Sequence, residues 1–312
     1  MRIIQAAHVV ENRRLCREHF ELTLSADMFP AAFPGQFVHV NPMVDAAPSG
    51  VCNGNNRAPS EPWRDRASGP MLRRAFSIAS MDVSALDVRY SIMYRVVGRA
   101  TRWLRSLGSG ATVSVLGPLG NPFPIDARKK NAWMVAGGVG LPPMLWLSEA
   151  LAAAGKQSVA FYGAQTKALL AIELAEDSAY STDARRAVRC NDRFSRQGTS
   201  IVLATDDGSI GFHGYVGAAL EAYYAAQEIR AGDLVVYTCG PEIMMRAVAT
   251  FCQSHAITCY VCMERAMACG TGTCQSCVVE TYNTAGPDGW AYALCCTDGP
   301  VFNARDIAWS SR

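Results

Sequence analysis

The sequence runs to 312 residues, half of them hydrophobic, which is too long for one ordinary core and too apolar for a disordered chain. Its 29 basic and 27 acidic residues leave a formal net charge of +2, too small an excess for a protein that binds nucleic acid by neutralising phosphates. Eight of the 12 cysteines fall between positions 252 and 296, and no signal, transit or lipidation pattern is visible, so the pattern points to a metal in a reducing, cytoplasmic compartment rather than a disulfide scaffold.

Residues 1–126 read as mostly β. The start is a short apolar alternation running into charge. Runs rich in β-branched and aromatic residues then recur at FELTLS, QFVHV, FSIAS, VRYSIMYRVV and TVSVLG. Closely spaced short strands of this kind form an antiparallel barrel or sandwich. The segment 43–70 interrupts them; rich in Pro, Gly, Asn and Ser, it reads as a long loop. Residues 127–255 change character. AWMVAGG, QSVAFYGA, TSIVLATDDG and DLVVYTCG read as strands alternating with the helices LPPMLWLSEALAAAG, GYVGAALEAYYAAQ and EIMMRAVATFCQSHA. Such alternation implies a parallel sheet covered on both faces. The uncharged run 132–148 carries three glycines and two prolines, so it reads as strand, turn and helix and not as a membrane span. The stretch 178–198 carries Arg185, Arg186, Arg189, Arg193 and Arg196 and reads as a solvated helix or loop, or else as a patch for a partner. Residues 256–312 hold the cysteine group on short strands and turns.

Cys269, Cys274 and Cys277 stand at C-x4-C-x2-C, with Cys296 following after eighteen residues. That is the plant-type 2Fe–2S spacing, in which one tight loop and one remote segment converge on the cluster. Gly270 and Gly272 allow the loop to curl. Cys295 competes with Cys296 for the fourth place, because adjacent residues do not easily reach one cluster. Cys259 and Cys262 with Cys274 and Cys277 would suit a zinc ribbon, but ITCYVC reads as a strand, where residues three apart face opposite ways. A Rieske centre needs two histidines, and His8, His19, His39, His213 and His255 all lie outside the cysteine loops.

Gly138 and Gly140, in AGGVGLPPM, follow a strand and open a helix. They let a dinucleotide pyrophosphate approach the backbone, or merely make a tight turn. Cys239, Gly240 and Pro241 end another strand, and ligands of open α/β sheets bind at strand C-termini, so the two turns are expected to share a crevice. In the β-rich part, Arg74, Phe76 and Ser77 share a strand. Tyr94 and Arg95 precede Gly98 and Thr101, where a helix begins. Arginine binds phosphate, an aromatic ring stacks on a planar cofactor, and a threonine N-cap suits a pyrophosphate. Phe76 reads equally as core, and Thr101 as a simple cap.

Together these motifs resemble the ferredoxin–NADP reductase superfamily. ERAMACGTGTCQSCVV, C-T-DGPVF, GPLGNPF and ATDDGSIGFHG are similar to the electron-transfer subunits of NAD-linked dihydroorotate dehydrogenases, over nearly the whole chain. The resemblance implies a multidomain fold: a flavin-binding antiparallel β-barrel (1–126), an NAD(P)-binding α/β domain with a parallel sheet (127–255) and a small C-terminal 2Fe–2S domain (256–312). It places Arg74, Ala75, Phe76 and Ser77 along FAD, Met93, Tyr94 and Arg95 at its ring and ribityl chain, and Ala100 and Thr101 at its pyrophosphate. It assigns Cys269, Cys274, Cys277 and Cys296 to the cluster, Cys296 because the ligand stands two residues before DGPVF. Ser77 is expected at the reactive edge of the flavin and Cys239 at the nicotinamide, with no general base. Ala100 stands where the family has glycine, and the segments 43–70 and 178–198 are longer than expected. The implied activity takes electrons from the FMN of a dihydroorotate-oxidising catalytic subunit to NAD, with NADP open beside it, in pyrimidine biosynthesis. The alternatives are an NAD(P)H-dependent reductase feeding an oxygenase, hydrogenase or ferredoxin, and a zinc-stabilised interaction module on a degenerate reductase scaffold. Nucleic acid and membrane are not expected partners.

Overall fold

Alternating strands close the N-terminal residues into a barrel. The computed structural model describes residues 2–42, 72–84, 87–174, 180–189, 193–282 and 289–309; the segment 43–70 and parts of 178–198 lie outside them. Strands β1 (Ile3–Arg14), β2 (His19–Ala26), β3 (Phe37–Pro42), β4 (Arg74–Val83), β5 (Val88–Arg95) and β6 (Thr112–Leu119) pair antiparallel in the order β1-β2-β5-β4-β3-β6. The pleat sends alternate residues inward, so Leu22, Leu24, Val38, Val40 and Ile92 fill the barrel. Phe37 and His39, out of phase with them, face outward towards the C-terminal part of the chain. Register shifts at Val9/Glu11, Phe37/His39 and Ile78/Ser80 give the extra bend that closure needs. Helix α1 (Arg99–Arg105) follows β5 and buries Leu104. Asn12 fixes its C-terminal end: Nδ2 donates to the carbonyls of Leu104 (2.8 Å) and Leu107 (3.0 Å), while the Tyr94 hydroxyl donates to Oδ1 (2.9 Å).

The rest of the chain builds β7 (Asn131–Gly137), α2 (Leu141–Ala153), β8 (Gln157–Ala164), α3 (Arg193–Arg196), β9 (Ser200–Thr205), β10 (Phe212–His213), α4 (Val216–Ala225), β11 (Leu234–Cys239), α5 (Glu242–Ser254), β12 (Thr258–Cys262), the hairpin β13 (Val278–Tyr282) and β14 (Trp290–Leu294), and β15 (Val301–Asn303). Seven strands form one sheet in the order β10-β9-β8-β7-β11-β12-β15, parallel except for the last pair. Its strand β11 is buried along its whole length, and β7 apart from Asn131, because helices cover both faces. Among the described residues no helix is long and apolar enough to cross a membrane.

Helix α2 is apolar nearly all round because it lies between two bodies. Leu141, Leu145 and Leu151 pack with the sheet, whereas Trp146 joins the barrel core. Two ion pairs cross this seam, Arg13–Glu173 (3.2 Å) and Arg193–Glu21 (2.8 Å), and Arg13–Glu21 (3.2 Å) and Arg196–Glu173 (3.0 Å) join them into one network. Within the arginine-rich stretch, Arg193 thus ties the barrel to the sheet, Arg196 makes an exposed pair with Glu173, and Arg185 pairs locally with Asp183 at 2.8 Å.

Candidate functional site

One cavity of about 540 Å³ opens where the barrel meets the C-terminal ends of the sheet strands. From the barrel it is lined by Arg74, Ala75, Phe76 and Ser77 on β4, Met93, Tyr94 and Arg95 on β5, and Gly98, Ala100 and Thr101 at the start of α1. From the sheet it is lined by Val139, Pro142, Cys239 and Cys262. Of the two expected turns, Val139 and Cys239 line the cavity, whereas Gly138, Gly140, Gly240 and Pro241 do not. Phe76 is half-buried, packs against the barrel core, meets the Tyr94 ring edge-on at 6.2 Å and lines the cavity as well. Burial pushes the Tyr94 phenol up to about 12, against the opposing hydrogen bond with Asn12. The Arg95 guanidinium is held by Glu18 at 2.7 Å, and Arg74 folds back on the carbonyls of Leu72 (3.1 Å) and Arg73 (3.2 Å).

Thr101 is not the N-cap. That place belongs to Gly98, and Thr101 stands three residues into the helix. Its hydroxyl reaches back to accept from the N–H groups of Val97 (3.0 Å) and Gly98 (3.0 Å), half of a capping box in which glycine supplies no side chain.

The glycines of the two turns serve each other. A Cβ on Gly140 would run into the Cys239 carbonyl. A Cβ on Gly240 would lie 2.9 Å from the backbone of Gly137, and Gly240 has φ +149. Gly138, at φ +53, faces open space, and Pro241 caps α5. The backbones of the β7 and β11 turns therefore nest without intervening side chains, and Cys239 is delivered to the cavity wall.

Sequence reasoning missed Phe37, Met263, Glu264, Arg265, Met267 and Pro300, which also line the cavity. Most of them follow β12. Treating ITCYVC as the next parallel strand of the sheet would have flagged MERAM as a strand-end segment. Cys259 and Cys262 lie in the cores on opposite faces of that sheet, near Cys252 and Cys239 respectively, and those neighbours first, then burial, push both thiols well up. They cannot join Cys274 and Cys277 around one zinc.

The cysteine loop leaves this wall towards the surface. Backbone N–H groups of Thr271 and Cys274 each point at Cys269 Sγ (3.4 Å), and they hold its thiol down at about 6. The Ser276 hydroxyl, 3.2 Å away, lowers Cys274, which is exposed. Across the loop, Cys296 lies against Cys277 and near the Gly272 N–H; burial first, and then Cys277, push its thiol up to about 11. Cys295 points elsewhere, donating to the Met263 carbonyl at 3.2 Å. Asp298 shapes the turn that presents the pair, accepting from the Leu294 N–H at 2.7 Å. The same turn is tied to the barrel: Asn121 N donates to the Gly299 carbonyl (2.6 Å) and Asn121 Nδ2 to that of Asp298 (2.8 Å). Among the described residues no three His, Cys, Asp or Glu side chains are grouped to hold a lone ion. Cys269, Cys274, Cys277 and Cys296 come from one loop and one remote turn, and N–H groups point at the Cys269 sulfur, as thiolates that hold an iron–sulfur cluster require.

Residues 264–308 match the family described as the iron–sulfur cluster binding domain of dihydroorotate dehydrogenase B, and residues 134–250 match the oxidoreductase NAD-binding domain. The chain is 33% identical over 303 residues to a dihydroorotate dehydrogenase B (NAD(+)) electron transfer subunit of Lysinibacillus sphaericus, covering 96% of each. The subunit of the same description from Bacillus caldolyticus is also 33% identical, with 96% of each covered. Among solved structures, an NADH-dependent reduced ferredoxin–NADP oxidoreductase shares the fold with TM-score 0.72, 22% identity and coverage of 97% of this chain and 90% of the other. A ferredoxin reductase of carbazole 1,9a-dioxygenase gives TM-score 0.58 and 20% identity, covering 82% and 67%. The barrel, the parallel sheet with its nested glycine turns and the cysteine loop thus sit in a chain that belongs to the family of dihydroorotate dehydrogenase B electron transfer subunits.

Proposed function

We propose that this chain takes electrons from the FMN of a dihydroorotate-oxidising partner subunit and delivers them to NAD+, as a cytoplasmic diaphorase-type subunit of pyrimidine biosynthesis. The observation that carries the reading is the shared cavity: flavin-strand residues, the Cys239 turn and the approach to the cysteine loop form one wall. When bound, FAD supplies the exchange between hydride and single-electron transfer, and the cluster supplies single-electron transfer. The chain's residues hold and orient. Cys269, Cys274, Cys277 and Cys296 are the cluster ligands. Arg74, Ala75, Phe76 and Ser77 with Met93, Tyr94 and Arg95 hold the flavin, Gly98, Ala100 and Thr101 receive its pyrophosphate, and Gly138, Gly140, Cys239, Gly240 and Pro241 admit the nicotinamide nucleotide. No side chain in the cavity wall is assigned as a general base. The modules divide near residues 126 and 255, with β12 and β15 lent to the nucleotide sheet.

The partner subunit docks on the cluster side. Cys274 is exposed there, and the outward face of the β13–β14 hairpin presents Val278, Tyr282, Trp290 and Tyr292, all exposed. Aromatic side chains in such a patch are typical interface anchors. The test is Cys274→Ser in the purified chain and in the complex with the dihydroorotate-oxidising subunit. The variant is expected to lose the cluster's visible absorbance and dihydroorotate:NAD+ activity while keeping FAD and NADH–dye reduction. An intact iron–sulfur spectrum would overturn the ligand assignment. Wild-type chain that drives an oxygenase or ferredoxin but never accepts electrons from the FMN subunit would favour a reductase instead.

A further inference from the structure

His39 is fully buried, and neither of its ring nitrogens has a hydrogen-bond partner among the described residues. A neutral imidazole carries one donor and one acceptor, and leaving either unmade in a core is costly. Among the described residues, His39 is the one buried side chain with two orphaned polar atoms. Its position is specific. On β3 it pairs with Ala75 of β4, a residue of the cavity wall, and its ring lies 5.7 Å from that of Phe37, another wall residue. On its other side lies the cysteine loop. A Cβ on Gly270 would come within 2.7 Å of His39 Cε1 and 2.9 Å of Nε2, so the loop beside Cys269 rests directly on the imidazole. Burial keeps the ring neutral, with Arg73 and Arg74 opposing a further positive charge.

We propose that His39 is a positioning residue for the iron–sulfur cluster, its N–H donating to a sulfur of the loaded cluster and its ring filling the space between that cluster and the flavin wall. The inference rests on the cluster occupying the Cys269 loop. A hydrogen bond to a reduced, more negative sulfur is stronger than one to the oxidised form, so His39 favours reduction of the cluster.

The test uses the intact chain with its cofactors. His39→Phe keeps shape without a donor; His39→Gln restores an N–H. Loss of the donor is expected to shift the cluster's reduced-to-oxidised ratio about tenfold at fixed potential, a fall of about 59 mV for one electron, with Gln recovering part of it and the FAD potential unmoved. Should neither variant load a cluster, wild-type protein labelled with 15N-histidine decides: pulsed EPR of the reduced cluster is expected to show coupling to a histidine nitrogen. A loaded cluster with no such coupling, or an unshifted cluster potential in a loaded His39→Phe variant, overturns the proposal. Protein that binds no iron or sulfide at all would instead overturn the reading of the cysteine loop.

Discussion

Cys295 and Cys296 are adjacent in the chain and take different hydrogen-bond partners from one turn. Cys295 gives its thiol to the Met263 carbonyl at 3.2 Å, within the core, whereas Cys296 meets Cys277 across the loop. A Cys296→Ser variant is therefore expected to lose the cluster's visible absorbance and most of its iron. Cys295→Ser, which keeps a donor for the Met263 carbonyl, should retain both. Iron and acid-labile sulfide analysis of the two variants separates the roles; equal loss in both would refute the distinction.

Arg193 carries the barrel–sheet seam. It donates to Glu21 at 2.8 Å and to the Ala79 carbonyl at 3.1 Å, and the Glu21 side chain is only 11% exposed. Arg193→Ala leaves that carboxylate short of a charged donor, at an expected cost of about 2 kcal/mol. Arg189, exposed on the same stretch, should cost less than about 0.5 kcal/mol when replaced by alanine. Urea unfolding midpoints check both values. Equal effects would mean that the seam does not depend on the Arg193–Glu21 pair.

Gly140→Ala forces a methyl group into the Cys239 carbonyl. Overpacking of this kind costs about 1–3 kcal/mol, and here it also splays the two turns that form the cavity's sheet side. The expected variant melts lower and has a raised KM for NADH in dye reduction, with normal flavin content. Gly138, at φ +53 in open space, should accept asparagine with little loss, since that residue tolerates the left-handed region. Melting curves and NADH titrations of the pair provide the comparison.

Acid should destabilise the protein in two separate windows. Burial lowers both His19 and His39, the latter to about 4 against an unfolded value of 6.5. A histidine depressed in this way contributes its full stabilisation above the unfolded pKa and loses it as pH falls through the folded one. For His39 that loss amounts to something on the order of 3 kcal/mol between pH about 6.5 and about 4. Asp126, held down to about 2 by Arg128, loses its contribution only below its ordinary carboxylate range. Unfolding free energies across this range should stay level above pH about 6.5 and fall below it. His19→Gln should flatten part of the fall; an unchanged slope would count against a buried neutral His19.

Much of the architecture is written locally. The runs FELTLS, QSVAFYGA and DLVVYTCG become β2, β8 and β11 within a residue or two, because each buries a continuous or alternating apolar set. The opening segment was harder to read. β1 extends over Ile3–Arg14, yet apolar residues such as Ile4 and Ala6 stand on its outward face and its last four residues are ENRR, so it looks like a fading alternation. β10 and β15, of two and three residues, are too short to carry a period and exist only through their neighbours. The site divides the same way. Cysteine spacing and glycine turns locate its parts, because ligand count and close backbone approach constrain neighbouring residues. What remained hidden lies between distant segments: His39 against Gly270, Arg193 against Glu21, and the Met263–Met267 side of the cavity. A lone buried histidine and a surface-type arginine look alike in sequence whether or not they bridge two modules.

The excursion that holds the cysteine loop starts and finishes at one point. Cys262, the last residue of β12, and Val301, the first of β15, are register partners on adjacent antiparallel strands. Everything between them is topologically a graft: the chain leaves the sheet edge, builds the loop and hairpin, and rejoins where it departed. Such a graft can be exchanged without re-threading the barrel or the central strands. A short turn joining 262 to 301 would spare every strand of the barrel and the central sheet, yet it would strip the cavity of Met263, Glu264, Arg265, Met267 and Pro300, so the excursion is separable in topology and shared in function.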